Sequence, residues 1–189
     1  ISWMSLGAPT QAEVTAIAEQ SPGAVWYLHG EANRQWDYTA VVSRWREMWQ
    51  KIKAADPTAK VTSPSMLNWE FTCTGCGGYV SGRVWMNNFR SRYKEIYGTE
   101  PEFDIWAIDA YPIDWLNLPT DNAQLAIAQI AAMHNYMQNI PEHAGKPIWV
   151  TELSMHWGWD GMTVNNQGLP VPAGTYQEER VINYFATVY

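Results

Sequence analysis

Apolar residues in this chain fall into two kinds of segment. Some are short and continuous; in others, apolar positions recur every three or four residues. Gly23–Leu28, Ala59–Thr62, Phe103–Ile108 and Pro147–Thr151 are short runs and read as buried strands, and Ile1–Met4 reads as the tip of one more. Asp37–Ala55 is predicted helical, because Val41, Val42, Trp45, Met48, Trp49 and Ile52 repeat at helical steps up to the stop at Asp56-Pro57. Gly82–Tyr97 is a second helix, with Val84, Trp85, Phe89, Tyr93 and Ile96 on one side and Gly98 as its cap. Thr120–Ile140 contains a third, opened by Thr120 or Asp121 and closed before Pro141. Thr10–Gln20 and Tyr176–Tyr189 complete the helices. Ser63-Pro64-Ser65 is a turn, and Met66–Ser81 and Ser154–Thr175 are long loops.

Short strands alternating with helices imply parallel βαβ units. About five strands are expected, where a closed (β/α)8 TIM barrel has eight in roughly 250 residues. The expected fold is therefore α/β, a partial TIM barrel of about five β/α units. It is expected to form a single domain over residues 1–189, incomplete at both ends. A doubly wound sheet is the alternative, but no G-x-G-x-x-G turn follows any strand. The opening Ile1-Ser2-Trp3 carries no charged leader and no initial Met, which reads as a processed product or an excerpt of something longer.

Composition narrows the chemistry. The 189 residues are 47% hydrophobic and carry a net charge of −7, with no basic stripe, so neither nucleic acid nor an anionic membrane surface is the expected partner. No apolar run approaches the roughly 18 residues of a membrane span. Twelve Trp and ten Tyr stand against four Phe. Most fill a core, but an indole-rich excess also suits a sugar cleft, since a pyranose stacks its C–H face on an aromatic ring while its hydroxyls seek polar neighbours. Cys73 and Cys76 are the only cysteines. Two thiols cannot complete a four-ligand zinc site, and a short-loop disulfide in a secreted, extracellular protein is the preferred reading over free thiols.

Two glutamates carry the candidate chemistry. Glu31 directly follows the first apolar run and Glu152 the last. A carboxylate at the C-terminal end of a parallel strand points into the mouth of an α/β barrel, and two in one mouth are the minimal machinery for cleaving a glycosidic bond. They lie three strands apart, a separation that sets two side chains across a barrel pocket. His29 and His156 flank them, but no H-x-x-x-H or H-E-x-x-H spacing supports a metal, and none is expected. His29 is expected to hydrogen-bond in the barrel mouth and His156 to line the cleft. No G-x-S-x-G elbow suggests a serine hydrolase. Trp69, Trp115, Trp157 and Trp159 lie in loops after strands and are candidates for sugar stacking.

Trp26-Tyr27-Leu28-His29-Gly30-Glu31-Ala32-Asn33, Asp104-Ile105-Trp106-Ala107-Ile108-Asp109-Ala110-Tyr111 and Lys146-Pro147-Ile148-Trp149-Val150-Thr151-Glu152 together resemble the clan of retaining glycoside hydrolases built on (β/α)8 barrels. In that clan the acid/base glutamate ends strand four and the nucleophile ends strand seven, so the chain corresponds to strands three to seven. The resemblance implies double displacement, with Glu152 attacking the anomeric carbon and Glu31 serving as acid and then base. It also implies a β-linked poly- or oligosaccharide substrate and no cofactor. Asp109 and Tyr111 would face the substrate, Tyr111 hydrogen-bonding Glu152. The clan usually places Asn before the acid/base Glu and Pro after it. Here these positions are Gly30 and Ala32, with Asn33 the nearest substitute for sugar binding. A non-catalytic carbohydrate-binding protein on the same scaffold is the second reading, and a monomer or one part of a larger chain or assembly the expected state.

Overall fold

A computed structural model describes residues 1–3, 5, 7–70, 80–112, 121–155, 161–164, 168 and 170–188. Among the described residues six short strands and six helices largely alternate: β1 (Ser2–Trp3), α1 (Gln11–Gln20), β2 (Val25–Leu28), α2 (Ala32–Gln35), α3 (Tyr38–Ala55), β3 (Lys60–Val61), β4 (Met66–Leu67), α4 (Gly82–Tyr97), β5 (Trp106–Ala110), α5 (Ala123–Gln138), β6 (Ile148–Leu153) and α6 (Glu178–Val188).

All pairings between these strands are parallel and follow chain order, β1-β2-β3 in one sheet and β4-β5-β6 in the other. A single parallel bridge between Thr62 and Ile105 joins the two sheets. An open doubly wound sheet reverses its strand order at a switch point; the described strands never do. The expected turn at Ser63-Pro64-Ser65 is thus a break between two short strands, β3 and β4, that both run beside the β5 segment. Met66–Leu67, expected as loop, is β4, because both residues are buried and pair with Ile108 and Asp109.

The helices begin and end where local chemistry dictates. Thr10 and Glu13 form a reciprocal capping box ahead of α1. Asp37, Ser81 and Asn122 cap α3, α4 and α5 through their side chains. The third helix therefore starts after Asn122, not at the expected Thr120 or Asp121. Gly98 closes α4 at φ 76°, a left-handed conformation in which glycine bears no Cβ penalty.

The two sides of the sheet differ in chemistry. Trp26, Leu28, Val61, Trp106 and Ile108 are buried in the main hydrophobic core, with Trp45, Met48, Ile52, Phe89 and Tyr93 from α3 and α4. Trp45 sits at its centre, edge-on to Phe103 at 5.0 Å, and its indole donates to the Thr62 carbonyl at 3.0 Å. This anchors the layer of helices to the strand break. The opposite side carries Tyr27, Ser63, Ser65, Asp109 and Thr151, linked by hydrogen bonds across the strands. At the sheet margin, Trp149 and Val150 of β6 are 44% and 38% exposed, and no described strand pairs with that outer edge.

Candidate active site

Both glutamates lie where β2 and β6 reach their C-terminal ends, but the chain seats them differently. After β2 the backbone passes through two left-handed residues, His29 at φ 56° and Glu31 at φ 46°. Non-glycine residues take this conformation at a cost, and such strain collects at functional sites. The turn is held from its neighbours: Ser65 N–H donates to the His29 carbonyl at 3.0 Å, and Ala32 N–H donates to the Ser65 carbonyl at 2.8 Å. Glu31 leads into the single turn of α2, and Arg34 of that turn donates to Glu31 Oε2 at 2.8 Å. The Glu31 side chain is 18% exposed.

Glu152 sits in β6 after an irregularity. Ile108 pairs with Val150 and Asp109 with Glu152, so Thr151 is an extra residue on β6, a β-bulge. A bulge re-aims the side chains that follow it. Here it lets Thr151 and Glu152 both address β5: Thr151 Oγ1 donates to Asp109 Oδ1 at 2.6 Å, and Tyr111 Oη donates to Glu152 Oε2 at 2.7 Å. Asn68, left-handed at φ 50° just after β4, sets Tyr111 in turn. Its N–H donates to the Asp109 carbonyl at 3.0 Å and its Oδ1 accepts from Tyr111 N–H at 2.9 Å. Asn tolerates this conformation best among residues with side chains.

The electrostatics bring the two ends together. Burial first, then the charges of Glu152 and Glu31, push the Asp109 carboxyl up to about 6, while hydrogen bonds from Thr151 and Ser65 partly oppose the rise. Tyr111 is raised by burial and then by Glu152, Asp109 and Glu31. Geometry agrees: Tyr27 of β2 reaches toward Asp109 at 3.5 Å, Thr151 of β6 donates to Asp109, and Tyr111 donates to Glu152. Tyr27 is likewise raised, by burial and by Asp109.

Several expected substrate contacts are corrected by burial. Trp69 is fully buried, packed against Trp106 at 6.2 Å and Tyr136 at 5.0 Å, so its ring belongs to the core and has no face left for a sugar. Asn33 spends its whole amide on the fold: its Nδ2 donates to the Leu67 and Val80 carbonyls at 3.0 and 2.9 Å, and its Oδ1 accepts from Leu67 N–H at 2.8 Å. His29 is buried edge-on to Trp36, its ring nitrogens have no hydrogen-bond partner among the described residues, and burial lowers it to about 4. Asp109 is also fully buried, so it makes no direct contact with a substrate. Tyr111 alone of the expected contacts in this group is only partly buried and touches a glutamate. Trp115, His156, Trp157, Trp159, Cys73 and Cys76 lie outside the described residues.

Residues that sequence reasoning passes over are Thr151, Ser65, Tyr27, Asn68 and Arg34. In the sequence, Thr151 and Tyr27 stand out only as members of apolar runs, Ser65 belongs to a turn, and Asn68 to a loop. The signal that singles out Thr151 is a hydroxyl directly before a strand-end acid.

A chain-ordered parallel α/β sheet with carboxylates gathered at its C-terminal rim is a framework for acid–base chemistry on a bound substrate. The chain belongs to the family described as glycosyl hydrolase catalytic core, which matches residues 31–172, about three-quarters of its length. Among solved structures it is similar to a monomeric β-xylosidase from Caulobacter crescentus CB15, with a TM-score of 0.58 and 15% identity over 79% of this chain and 31% of that one. It is also similar to an endo-β-1,3-glucanase from Amycolatopsis mediterranei, with a TM-score of 0.50 and 12% identity over 99% of this chain and 71% of that one. The chain thus spans about a third of the xylosidase. At these identities the likeness is one of fold. No curated protein sequence matches the chain.

Proposed function

We propose that the chain is the catalytic segment of a secreted retaining β-glycosidase on a (β/α)8 barrel, acting on a β-linked poly- or oligosaccharide. The observation that carries this reading is that Glu31 and Glu152, 121 residues apart in sequence, follow β2 and end β6 on the same side of parallel strands, with Tyr27–Asp109, Asp109–Thr151 and Tyr111–Glu152 hydrogen bonds crossing between those strands. Glu152 is the nucleophile. Tyr111 donates to one of its oxygens, and the other, which has no hydrogen bond among the described residues, attacks the anomeric carbon. Glu31 protonates the leaving oxygen and then takes a proton from water. Arg34 occupies Glu31 Oε2, so the glycosidic oxygen meets Oε1 or displaces the guanidinium. β-1,3-Glucan is the first substrate to try, because the Amycolatopsis structure holds laminaritriose and laminaribiose.

The test is a reducing-end screen on β-1,3-, β-1,4- and β-1,6-linked glucans, mannans and galactans, with anomer detection by NMR. Glu152→Gln is expected to abolish hydrolysis on an intact fold, and the first product formed is expected to be the β-anomer. Full activity in that variant, or an inverted first product, overturns the reading. The second reading, a carbohydrate binder without catalysis, is favoured by Gly30 before the acid and by the Arg34 pair. It requires oligosaccharide binding with no reducing ends released by the native chain.

A further inference from the structure

The polar side of the sheet holds an acid that the double-displacement scheme leaves unused. Asp109 is fully buried near the C-terminal end of β5, yet carboxylates are almost never fully buried unless partnered. Its partners come from every element facing it. Thr151 Oγ1 donates to Oδ1 at 2.6 Å, and Tyr27 Oη of β2 reaches toward Oδ2 at 3.5 Å. Ser65, from the break between β3 and β4, hydrogen-bonds Thr151 Oγ1 at 3.0 Å. The charged or titratable neighbours are Glu152 on β6, Glu31 after β2, and Tyr27 and Tyr111.

Two features make this more than a core hydrogen bond. The first is its place: Thr151 is the extra residue of the bulge, and Asp109 is the ladder partner of Glu152 itself. The clamp closes on the irregularity that turns Glu152 toward Tyr111. The second is proton direction. With Asp109 ionised, Ser65 donates to Thr151 and Thr151 donates to Asp109, so all three groups are satisfied in one direction. With Asp109 protonated, the carboxyl donates to Thr151, whose own proton must turn to the Ile108 carbonyl at 3.2 Å or to Ser65.

We propose that Asp109 is a positioning residue for Glu152: through Thr151 it fixes the bulge that carries the nucleophile, and its anion favours the positive charge that develops on the sugar ring. The proposal rests on the assignment of Glu152 as nucleophile. The transition state is oxocarbenium-like, so a fixed negative charge on the strand beside the nucleophile, in a site of low dielectric, lowers its energy relative to the neutral substrate. Only ionised Asp109 does this. Burial pushes the carboxyl up to about 6, so kcat/KM is expected to rise with pH through that region.

The experiment compares native chain, Asp109→Asn, Thr151→Val, Thr151→Ser and Glu152→Gln, with pH profiles on a β-glycoside that the native chain cleaves and carboxyl ¹³C NMR titrations of the labelled proteins. Asp109→Asn keeps an acceptor for Thr151 but carries no charge, and is expected to lose the inflection near pH 6 and to fall in kcat more than it rises in KM. Thr151→Val is expected to lose on the order of 10²-fold in kcat, the scale of a 1 Å misplacement, while Thr151→Ser restores most of it. In Glu152→Gln the Asp109 titration is expected to move to lower pH. The proposal is overturned if Asp109→Asn keeps the inflection, if serine rescues no better than valine, or if the Asp109 titration is indifferent to Glu152. An active Glu152→Gln instead sinks the assignment of the nucleophile, and a native chain that cleaves nothing sinks the glycosidase reading. The NMR arm still decides the electrostatic link in either case. Near-UV circular dichroism identifies any variant that fails to fold, and the titration in Glu152→Gln then stands alone.

Discussion

Glu31 and Glu152 occupy equivalent places at the ends of parallel strands, yet they are held by opposite devices. Glu31 is seated by backbone conformation: two left-handed residues, a one-turn helix, and an Arg34 that is itself 56% exposed. Glu152 is seated by side chains: a bulge clamped by Thr151 and Asp109, with Tyr111 aligned by Asn68. The difference suits the two proposed roles. A nucleophile must hold one oxygen on a line of attack, and a network of donors fixes that line. An acid that becomes a base must accept two proton positions in one cycle, and a single ion pair whose guanidinium is exposed permits that.

The contrast can be broken at its largest expected effect by changing the leaving group. Glu31→Gln is expected to lose about 10²–10⁴-fold on a glycoside with a poor leaving group, the range of general acid catalysis. It should lose far less in the first step on a dinitrophenyl glycoside, which departs without a proton. Glu152→Gln should fail on both. Burst-phase kinetics reads the difference, and equal losses on the two substrates would mean that the two seats do not serve separate roles.

A smaller effect should be confined to one side. An added Cβ on Gly82 would come within 2.5 Å of the Asn68 carbonyl and 2.8 Å of Met66 Cβ. Backbone and strand atoms give way poorly, so Gly82→Ala is expected to cost about 1–3 kcal/mol, as overpacking does, measured by urea unfolding. Because Asn68 aligns Tyr111, nucleophile chemistry should suffer in this variant while the Glu31–Arg34 pair stays intact.

Acid stability tests the buried titratable groups. His29 and His143, both fully buried, are lowered to about 4 by burial, so the unfolded chain takes up protons below the ordinary value of 6.5 that the folded chain refuses. Their contribution falls as pH drops through this window. Asp109 has the opposite sign: its folded form keeps a proton up to about 6, so its contribution is present in acid and is lost as pH rises through that value. Two histidines against one aspartate give a net loss of about 3 kcal/mol between roughly pH 7 and 4.5, since each tenfold change in proton affinity is worth about 1.4 kcal/mol. Asp109→Asn removes the offset. Unfolding curves across this range should show that variant more stable than the native chain at neutral pH and steeper in its loss toward acid.

The elements are legible in the sequence where pattern and punctuation agree. Asp37 and Gly98 bracket α3 and α4 because a cap and a left-handed glycine are local decisions, fixed by a few neighbouring residues. β4 escapes the pattern because two residues carry too little periodicity to register; they become a strand only through pairing with Ile108 and Asp109. At the site, the two glutamates stand out because each acid directly follows an apolar run. Trp69 misleads because a loop position is no guide to burial: its ring turns back between Trp106 and Tyr136. The role of Thr151 is illegible, although a hydroxyl directly before a strand-end acid marks the residue itself. A bulge is a mismatch between two strands, and nothing in either strand alone records it.

The uncovered margin of β6 has a practical consequence. With Trp149 and Val150 turned to solvent and one row of peptide groups unclaimed by any described strand, that margin is a ready template for a further strand. Purified at the concentrations that spectroscopy needs, this polypeptide is expected to gather into oligomers that disperse on dilution, driven by main-chain chemistry before any sugar is added.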